Sequence, residues 1–111
     1  MEAKYPCLAI AKDANLHFYH IENIVYFKSD GNNSVIFNLK GEAISTNKKF
    51  KELEYLIPKD VFVRVHHSYI INLLHVTRYS TEEGLIYLGD GTSIPVSRRK
   101  KADLLAKFIK L

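Results

Sequence analysis

The amino-acid sequence predicts a mainly β fold with two short helices. Signals for tight turns recur about every ten residues, and the runs between them are short and rich in β-branched and aromatic residues. Only two segments, residues 46–57 and 97–109, carry apolar residues at helical spacing. No linker or low-complexity tract divides the 111 residues, so we expect a single domain over residues 1–111.

The first half of the chain predicts short strands separated by turns. A polar turn at residues 12–15 separates the strand-like runs CLAIA and NLHFYH. The motif DGNN at residues 30–33 separates NIVYFKS from SVIFNL, and it is a strong turn signal because Asp-Gly favours a positive φ at its second residue. Lys40-Gly41 then separates SVIFNL from EAISTN, which predicts a second hairpin.

The second half continues the β pattern. The run VFVRVHHSYIIN is followed by HVTRYS, and LIYLGDGTSIPVS predicts a hairpin around Asp90-Gly91. Adjacent side chains of a regular strand point to opposite faces. We therefore expect His66 and His67 to diverge, with one packed against the core and the other on the surface.

Both predicted helices begin with cap residues that basic residues follow at once. Residues 45–47 (Ser-Thr-Asn) are candidate caps before Lys48 and Lys49, and Ser97 precedes the four cations of residues 98–101. Cations are unfavourable at a helix N-terminus, by about 0.3–1 kcal/mol each when exposed. An external anion, such as a phosphate group, would complete both sites; a solvated charged surface is the alternative.

The charge distribution favours a polyanionic partner. The net charge is +4, and residues 98–111 hold six Lys or Arg against one acid. A basic end on a near-neutral body is typical of nucleic-acid binding first and of an acidic membrane surface second. The chain has no apolar run long enough for a transmembrane helix, and its single cysteine, Cys7, fits a reducing compartment, so we expect a cytoplasmic protein with no membrane partner.

Motifs typical of enzymes and metal sites are missing from the sequence. It contains no GxSxG, HExxH, CxxC or Gly-rich phosphate loop, and its five histidines lack metal-ligand spacing. The carboxylates are scattered, and Cys7 lies in an apolar run that suits a small core residue. We therefore predict a protein that is not an enzyme and that needs no metal and no cofactor.

Polar side chains suited to base edges occur close to the cations. Asn pairs bidentately with adenine and Arg with guanine in the major groove. Each such residue is individually explained as a turn residue, but together, on a basic β domain, they favour DNA reading by loops. In chain order they are Asn32, Asn33 and Ser34, then His67 and Ser68, then Arg98 and Arg99.

Two blocks, VFVRVHHSYIINLLHV and DGTSIPVSRRKKADLL, together resemble the LytTR-type DNA-binding domain of bacterial response regulators. That family shows an Arg-x-His-x-Ser-Tyr/Phe-x-x-Asn block and a pVSRr ending, and the stretch IENIVYFKSDGNNSVIF is similar to its N-terminal segment. The resemblance covers nearly the whole chain. The matching residues here are Arg64, His66, Ser68, Tyr69 and Asn72 of the first block and residues 95–99 of the second.

The resemblance implies an elongated arrangement of short antiparallel sheets that reads duplex DNA with loops in the major groove. Pairs of such domains occupy repeated promoter elements and bend the DNA. The implied base-reading positions are Asn33 or Ser34, His67, and Arg99. Most members carry a receiver domain, so we expect either an excised output domain or a stand-alone regulator with another regulatory partner.

The cations near these positions are predicted to bind phosphate groups, and they are Lys48, Lys49, Arg64, Arg98, Lys100 and Lys101. Arg64 could instead pair with an acid. Asn72 is expected to bond the backbone of the following turn, while residues 69–71 fill the core.

Two other functional classes stay open. The first is a β-rich interaction module that binds an acidic protein. The second is an RNA-binding domain, which would need exposed aromatic residues.

Overall fold

The computed structural model describes residues 7–111, which form three small antiparallel sheets and two α-helices. These residues fill an envelope of 47 × 32 × 25 Å. The predicted mainly β, elongated architecture is therefore confirmed. No helix within residues 7–111 is long and apolar enough to cross a membrane.

Ten strands and two helices follow one another within residues 7–111. The helices are α1, Phe50–Leu56, and α2, Arg98–Leu105, and two 3-10 turns lie at Ile21–Asn23 and Leu73–His75. The strands are β1 (Cys7–Lys12), β2 (Asn15–His20), β3 (Ile24–Asp30), β4 (Asn33–Asn38), β5 (Ala43–Thr46), β6 (Phe62–His66), β7 (Tyr69–Asn72), β8 (Val76–Ser80), β9 (Leu85–Leu88) and β10 (Ser93–Pro95).

A five-stranded sheet with the order β5-β4-β3-β7-β6 forms the centre of the fold. A β1-β2 hairpin and a three-stranded sheet, β10-β9-β8, complete the β structure. The three predicted hairpins are present, as is a hairpin around the polar turn between β1 and β2. Three of these turns have glycine in the left-handed region, at Gly31 (φ +60°), Gly41 (φ +81°) and Gly91 (φ +91°). Asp-Gly pairs predicted the turns at Gly31 and Gly91 because glycine adopts this region without a steric penalty.

Two apolar layers cover the two faces of the central sheet. The first contains Phe50 and Leu53 of α1, with the β1–β2 hairpin packed against it. The second contains Leu104 of α2 and the inner residues of the three-stranded sheet. Strand alternation supplies both layers, because Ile70 belongs to the first and Ile71 to the second. Burial of these two isoleucines agrees with the prediction that residues 69–71 fill the core.

Both helices are shorter than the sequence predicts. Residue 46 remains in β5, where Thr46 pairs with Ser34, so α1 begins after Lys49, which is its N-cap residue. The candidate caps at residues 45–47 are therefore wrong as helix caps. At the other end, α2 stops at Leu105, so residues 106–109 lie beyond the helix that is predicted to include them.

The His-His pair ends a strand instead of continuing it. β6 stops at His66, residues 67–68 form a turn, and β7 starts at Tyr69, with a register irregularity between Arg64 and His66. The two imidazole rings consequently lie 4.2 Å apart, centroid to centroid. The prediction that these side chains diverge is wrong because it assumed a regular strand, although His66 is half-buried and His67 is exposed as expected.

Candidate nucleic-acid interface

Three connections of the central sheet meet at one of its ends. Antiparallel pairing sets Ser29 beside Ser34 and Ser34 beside Thr46, so the β3–β4 turn and the segment after β5 share that end. The β6–β7 turn reaches the same place, since Lys28 of β3 pairs with Tyr69 of β7. A backbone hydrogen bond from the Ser29 N–H to the Ser68 carbonyl oxygen, 3.0 Å long, joins the β3 end to this turn.

The start of α2 joins the same end through a backbone contact. The Ser97 N–H donates to the Val65 carbonyl oxygen at 2.8 Å, one residue before the end of β6. Arg98 and Arg99 therefore begin beside the β6–β7 turn. This surface, made of residues 31–33, 47–49, 67–68 and 97–101, is termed the loop edge. Neighbouring strands lie about 4.8 Å apart, so five strands make the edge about 19 Å wide.

The loop edge brings together most of the residues that the sequence analysis singled out. Asn33, His67 and Arg99 are exposed there, at the start of β4, in the β6–β7 turn and in the first turn of α2 respectively. Among the cations predicted to bind phosphate, Lys100 is half-buried, and the remaining ones at this edge are exposed: Lys48, Lys49, Arg98 and Lys101.

Ser34 does not belong to this exposed set. Its exposed fraction is 0%, and its hydroxyl donates to the Lys48 carbonyl oxygen at 2.7 Å. The Lys48 N–H in turn donates to Thr46 Oγ1 at 2.9 Å. A base-reading role for Ser34 is incompatible with this burial, and the correction has a simple reason: the side chain faces the core and holds the Lys48 backbone in place.

Arg64 also differs from the phosphate contact predicted for it. Its side chain is 23% exposed and forms an ion pair with Glu54, Nη1 to Oε1, at 3.0 Å. Nε and Nη2 donate to the carbonyl oxygens of His66 and His67. Of the two alternatives that the sequence left open, pairing with an acid is the one observed, because the guanidinium faces inward between α1 and the β6–β7 turn.

The half-buried ring of His66 supports the turn in its neutral form. His66 Nδ1 accepts a hydrogen bond from the Ser68 N–H at 3.1 Å, which requires that this nitrogen carries no proton. Burial lowers the pKa of His66, and the adjacent His67 and Arg64 add repulsion in the same direction. The free imidazole that remains available to a ligand is therefore that of His67.

The two helix starts differ in their local chemistry. α2 opens on four consecutive cations after Ser97, whose carbonyl oxygen accepts from the N–H groups of Lys100 and Lys101. Within residues 7–111 the Ser97 hydroxyl forms no capping bond. α1 has Glu52 in its first turn. Cations therefore lie at both helix starts, with an acidic residue in the first turn of α1 and none in the first turn of α2.

Sequence reasoning missed the acid that pairs with Arg64. Glu54 and Arg64 lie ten residues apart on different elements, and no local spacing rule connects them. Asn72, in contrast, behaves as expected: its Oδ1 accepts from the Leu74 N–H in the following turn. Within residues 7–111 no three His, Cys, Asp or Glu side chains are placed to hold a metal ion.

Comparisons with known proteins agree with this architecture. The family model described as the LytTr DNA-binding domain, a family that is not catalytic, matches residues 14–109. A LytTr DNA-binding domain of a putative methyl-accepting/DNA response regulator from Bacillus cereus superposes with a TM-score of 0.77 at 21% identity, covering 93% of this chain and 96% of that one. This structural likeness supports the fold.

Curated relatives match at higher identity. The sensory transduction protein LytT of Bacillus cereus is 31% identical over 102 residues, which cover 87% of this chain and 40% of that protein. The CO-responsive transcriptional regulator RcoM of Rhodospirillum rubrum is 32% identical over 85 residues, which cover 73% of this chain and 36% of that protein. The chain thus spans between a third and two fifths of these relatives, and it belongs to the LytTR family of DNA-binding domains.

Proposed function

We propose that the chain binds duplex DNA sequence-specifically by inserting the loop edge into the major groove. The convergence of three exposed side chains at one end of the sheet is the observation that supports this function: Asn33 at the start of β4, His67 in the β6–β7 turn and Arg99 in the first turn of α2. An edge about 19 Å wide corresponds to about six base pairs at 3.4 Å each. Loops at such an edge reach several successive base pairs without a recognition helix.

The side chains at this edge divide the work of binding by their chemistry. Arg99 suits the O6 and N7 acceptors of guanine, and the amide of Asn33 suits adenine. His67 offers one donor and one acceptor when neutral. The surrounding cations would hold the phosphate groups and set the register of the protein on the duplex, and they are Lys48, Lys49, Arg98, Lys100 and Lys101.

In its biological context we propose that this domain, over residues 1–111, is the output part of a bacterial transcription regulator in the cytoplasm. The relatives at about 30% identity are regulators or signal-transduction proteins more than twice as long as the matched segment. A receiver or other sensory domain would supply the signal, and a pair of domains would occupy repeated promoter elements. The proposal includes no enzymatic activity.

Selection of bound sites from a random duplex library tests this function directly. We expect enrichment of a short motif, for which labelled duplex then competes better than heparin, an acidic protein or single-stranded RNA. Absence of an enriched motif, together with equal competition by any polyanion, would favour the acidic-partner interaction module. Preferential binding of single-stranded RNA would favour an RNA-binding domain.

Lys49→Ala is expected to weaken binding to all duplex sequences by a similar factor. Lys49 is exposed at the loop edge, and a contact to phosphate carries no sequence information. The slope of log K against log salt should become shallower by about one. Lys40→Ala is the matched control, because Lys40 lies in the β4–β5 turn at the opposite end of the sheet. Equal salt slopes for the two variants would remove Lys49 from the interface.

A further inference from the structure

Arg64 is connected to the β6–β7 turn by two hydrogen bonds of one side chain. Nη2 donates to the His67 carbonyl oxygen at 2.7 Å, and Nε donates to the His66 carbonyl oxygen at 3.3 Å. Both acceptors belong to the residues that shape the turn on which His67 is exposed. A guanidinium supplies donors in a fixed planar fork, so these two bonds define the distance and angle between consecutive carbonyl groups.

The same guanidinium is itself held from the other side by α1. Nη1 donates to Glu54 Oε1 at 3.0 Å, and the Phe50 ring lies 5.1 Å from the guanidinium carbon. Phe50 is the first residue of α1, directly after Lys49. Arg64 therefore links the segment that carries Lys48 and Lys49 to the turn that carries His67.

We propose that Arg64 is a positioning residue that orients the His67 side chain toward the DNA and does not itself contact DNA. This inference rests on the proposed function of the loop edge. A base-reading side chain must be held within about 0.5 Å of its productive place, and residues behind it supply that precision. Arg64 holds the His67 backbone directly, whereas a phosphate contact would need the same donors turned outward.

Arg64→Lys separates positioning from phosphate binding. Lysine keeps the positive charge but lacks the planar fork, so it cannot bond both carbonyl oxygens and Glu54 in the same way. We expect about a tenfold loss of affinity for the cognate duplex, with affinity for random duplex and the salt slope unchanged. Wild-type affinity for the cognate duplex would overturn the proposal. So would an Arg64→Gln variant that loses affinity on every sequence and has a salt slope shallower by about one.

A double-mutant cycle with His67→Ala asks whether Arg64 acts through His67. If Arg64 positions this side chain, Arg64→Lys should change the affinity for the cognate duplex less than twofold in the His67→Ala background. A full tenfold loss in that background would show that Arg64 acts elsewhere and would overturn the proposal.

Glu54→Gln is a milder variant, because it leaves both carbonyl contacts of Arg64 in place. We expect it to lower the affinity for the cognate duplex about threefold.

Backbone amide resonances of the free protein provide a readout that needs no DNA. In Arg64→Lys we expect shifted amide signals of His67 and Ser68, with signals from the β9–β10 hairpin unchanged. Unchanged His67 and Ser68 signals would overturn positioning even if a cognate motif had been found. If the selection of bound duplexes yields no motif, the proposed function is refuted. The amide shifts of the free protein would still decide whether Arg64 holds the β6–β7 turn. Should Arg64→Lys not fold, the same spectra of Arg64→Gln decide it, because glutamine removes the guanidinium fork that bonds both carbonyl oxygens. Shifted His67 and Ser68 signals in that variant support the proposal, and unchanged signals overturn it.

Discussion

Arg99→Ala should cost about 1–3 kcal/mol of binding free energy on the cognate duplex and relax the choice of base at one position. Arg99 is exposed in the first turn of α2, and its side chain forms no hydrogen bond or ion pair with any residue from 7 to 111. It is therefore free to form a bidentate contact with guanine. A wrong base leaves one of these donors unpaired, which is the source of the discrimination.

Binding to single-base variants of the selected site provides the measurement for Arg99. The wild type should discriminate strongly at one position, and the variant should bind all four bases there about equally. The free energy of unfolding should change by less than about 0.5 kcal/mol, as for other exposed residues without partners. Arg78→Ala is the matched control, since it removes an arginine that lies over Tyr87 outside the loop edge. Equal losses on cognate and random duplex would count against base reading by Arg99.

Features of the fold that depend on local chemistry could be predicted from the sequence. The turns at Gly31 and Gly91 follow from the backbone freedom of glycine, and the strands between them follow from residue type. The candidate site was also largely predictable, because Asn33, His67 and Arg99 lie at or next to turns and helix starts that local residue types and the family resemblance identify. Their convergence at one end of the sheet supports the proposed function.

Features that depend on long-range pairing could not be predicted in the same way. Ser34 follows a turn and carries a polar group, which suits a base contact, yet pairing with Thr46 directs it toward the core. The break after His66 arises because β7 pairs with both β3 and β6, and nothing in the run VFVRVHHSYIIN requires it locally. The partner of Arg64 is set by the packing of α1 against the sheet, which residue spacing does not encode.

The buried side-chain amide of Asn72 shows how these long-range contacts stabilise the fold. Asn72 is fully buried, and its Nδ2 donates to the carbonyl oxygens of Ile21 and Ile24, at 3.1 and 2.8 Å. Its Oδ1 accepts from the Leu74 N–H at 2.9 Å. One side chain thereby joins the 3-10 turn before β3 to the turn after β7, at the end of the sheet opposite the loop edge.

Asn72→Leu should lower the free energy of unfolding by about 2–4 kcal/mol. Leucine is close in size but cannot donate to the buried Ile24 carbonyl oxygen, and each buried polar group left unpaired costs about 1–3 kcal/mol. The second bond to the Ile21 carbonyl oxygen, which also accepts from the Ile24 N–H, and the part-buried bond from the Leu74 N–H are lost as well. Denaturant unfolding should show a lower midpoint with an unchanged slope. Asn38→Leu is the matched control: Asn38 also bonds a turn, but Lys40 and Glu42 around it are exposed, so water can replace the lost contacts and the cost should stay near 1 kcal/mol.

The same variant separates a structural asparagine from a DNA-reading one. Because Asn72 lies away from the loop edge, the folded fraction of Asn72→Leu should retain the cognate motif, the affinity and the salt slope of the wild type. These are measured well below the unfolding midpoint, where the native population dominates. A stability loss below about 1 kcal/mol would contradict the buried hydrogen-bond account. A changed base preference in the folded protein would instead indicate that Asn72 contacts DNA, which would contradict its buried position at the opposite end of the sheet from the loop edge.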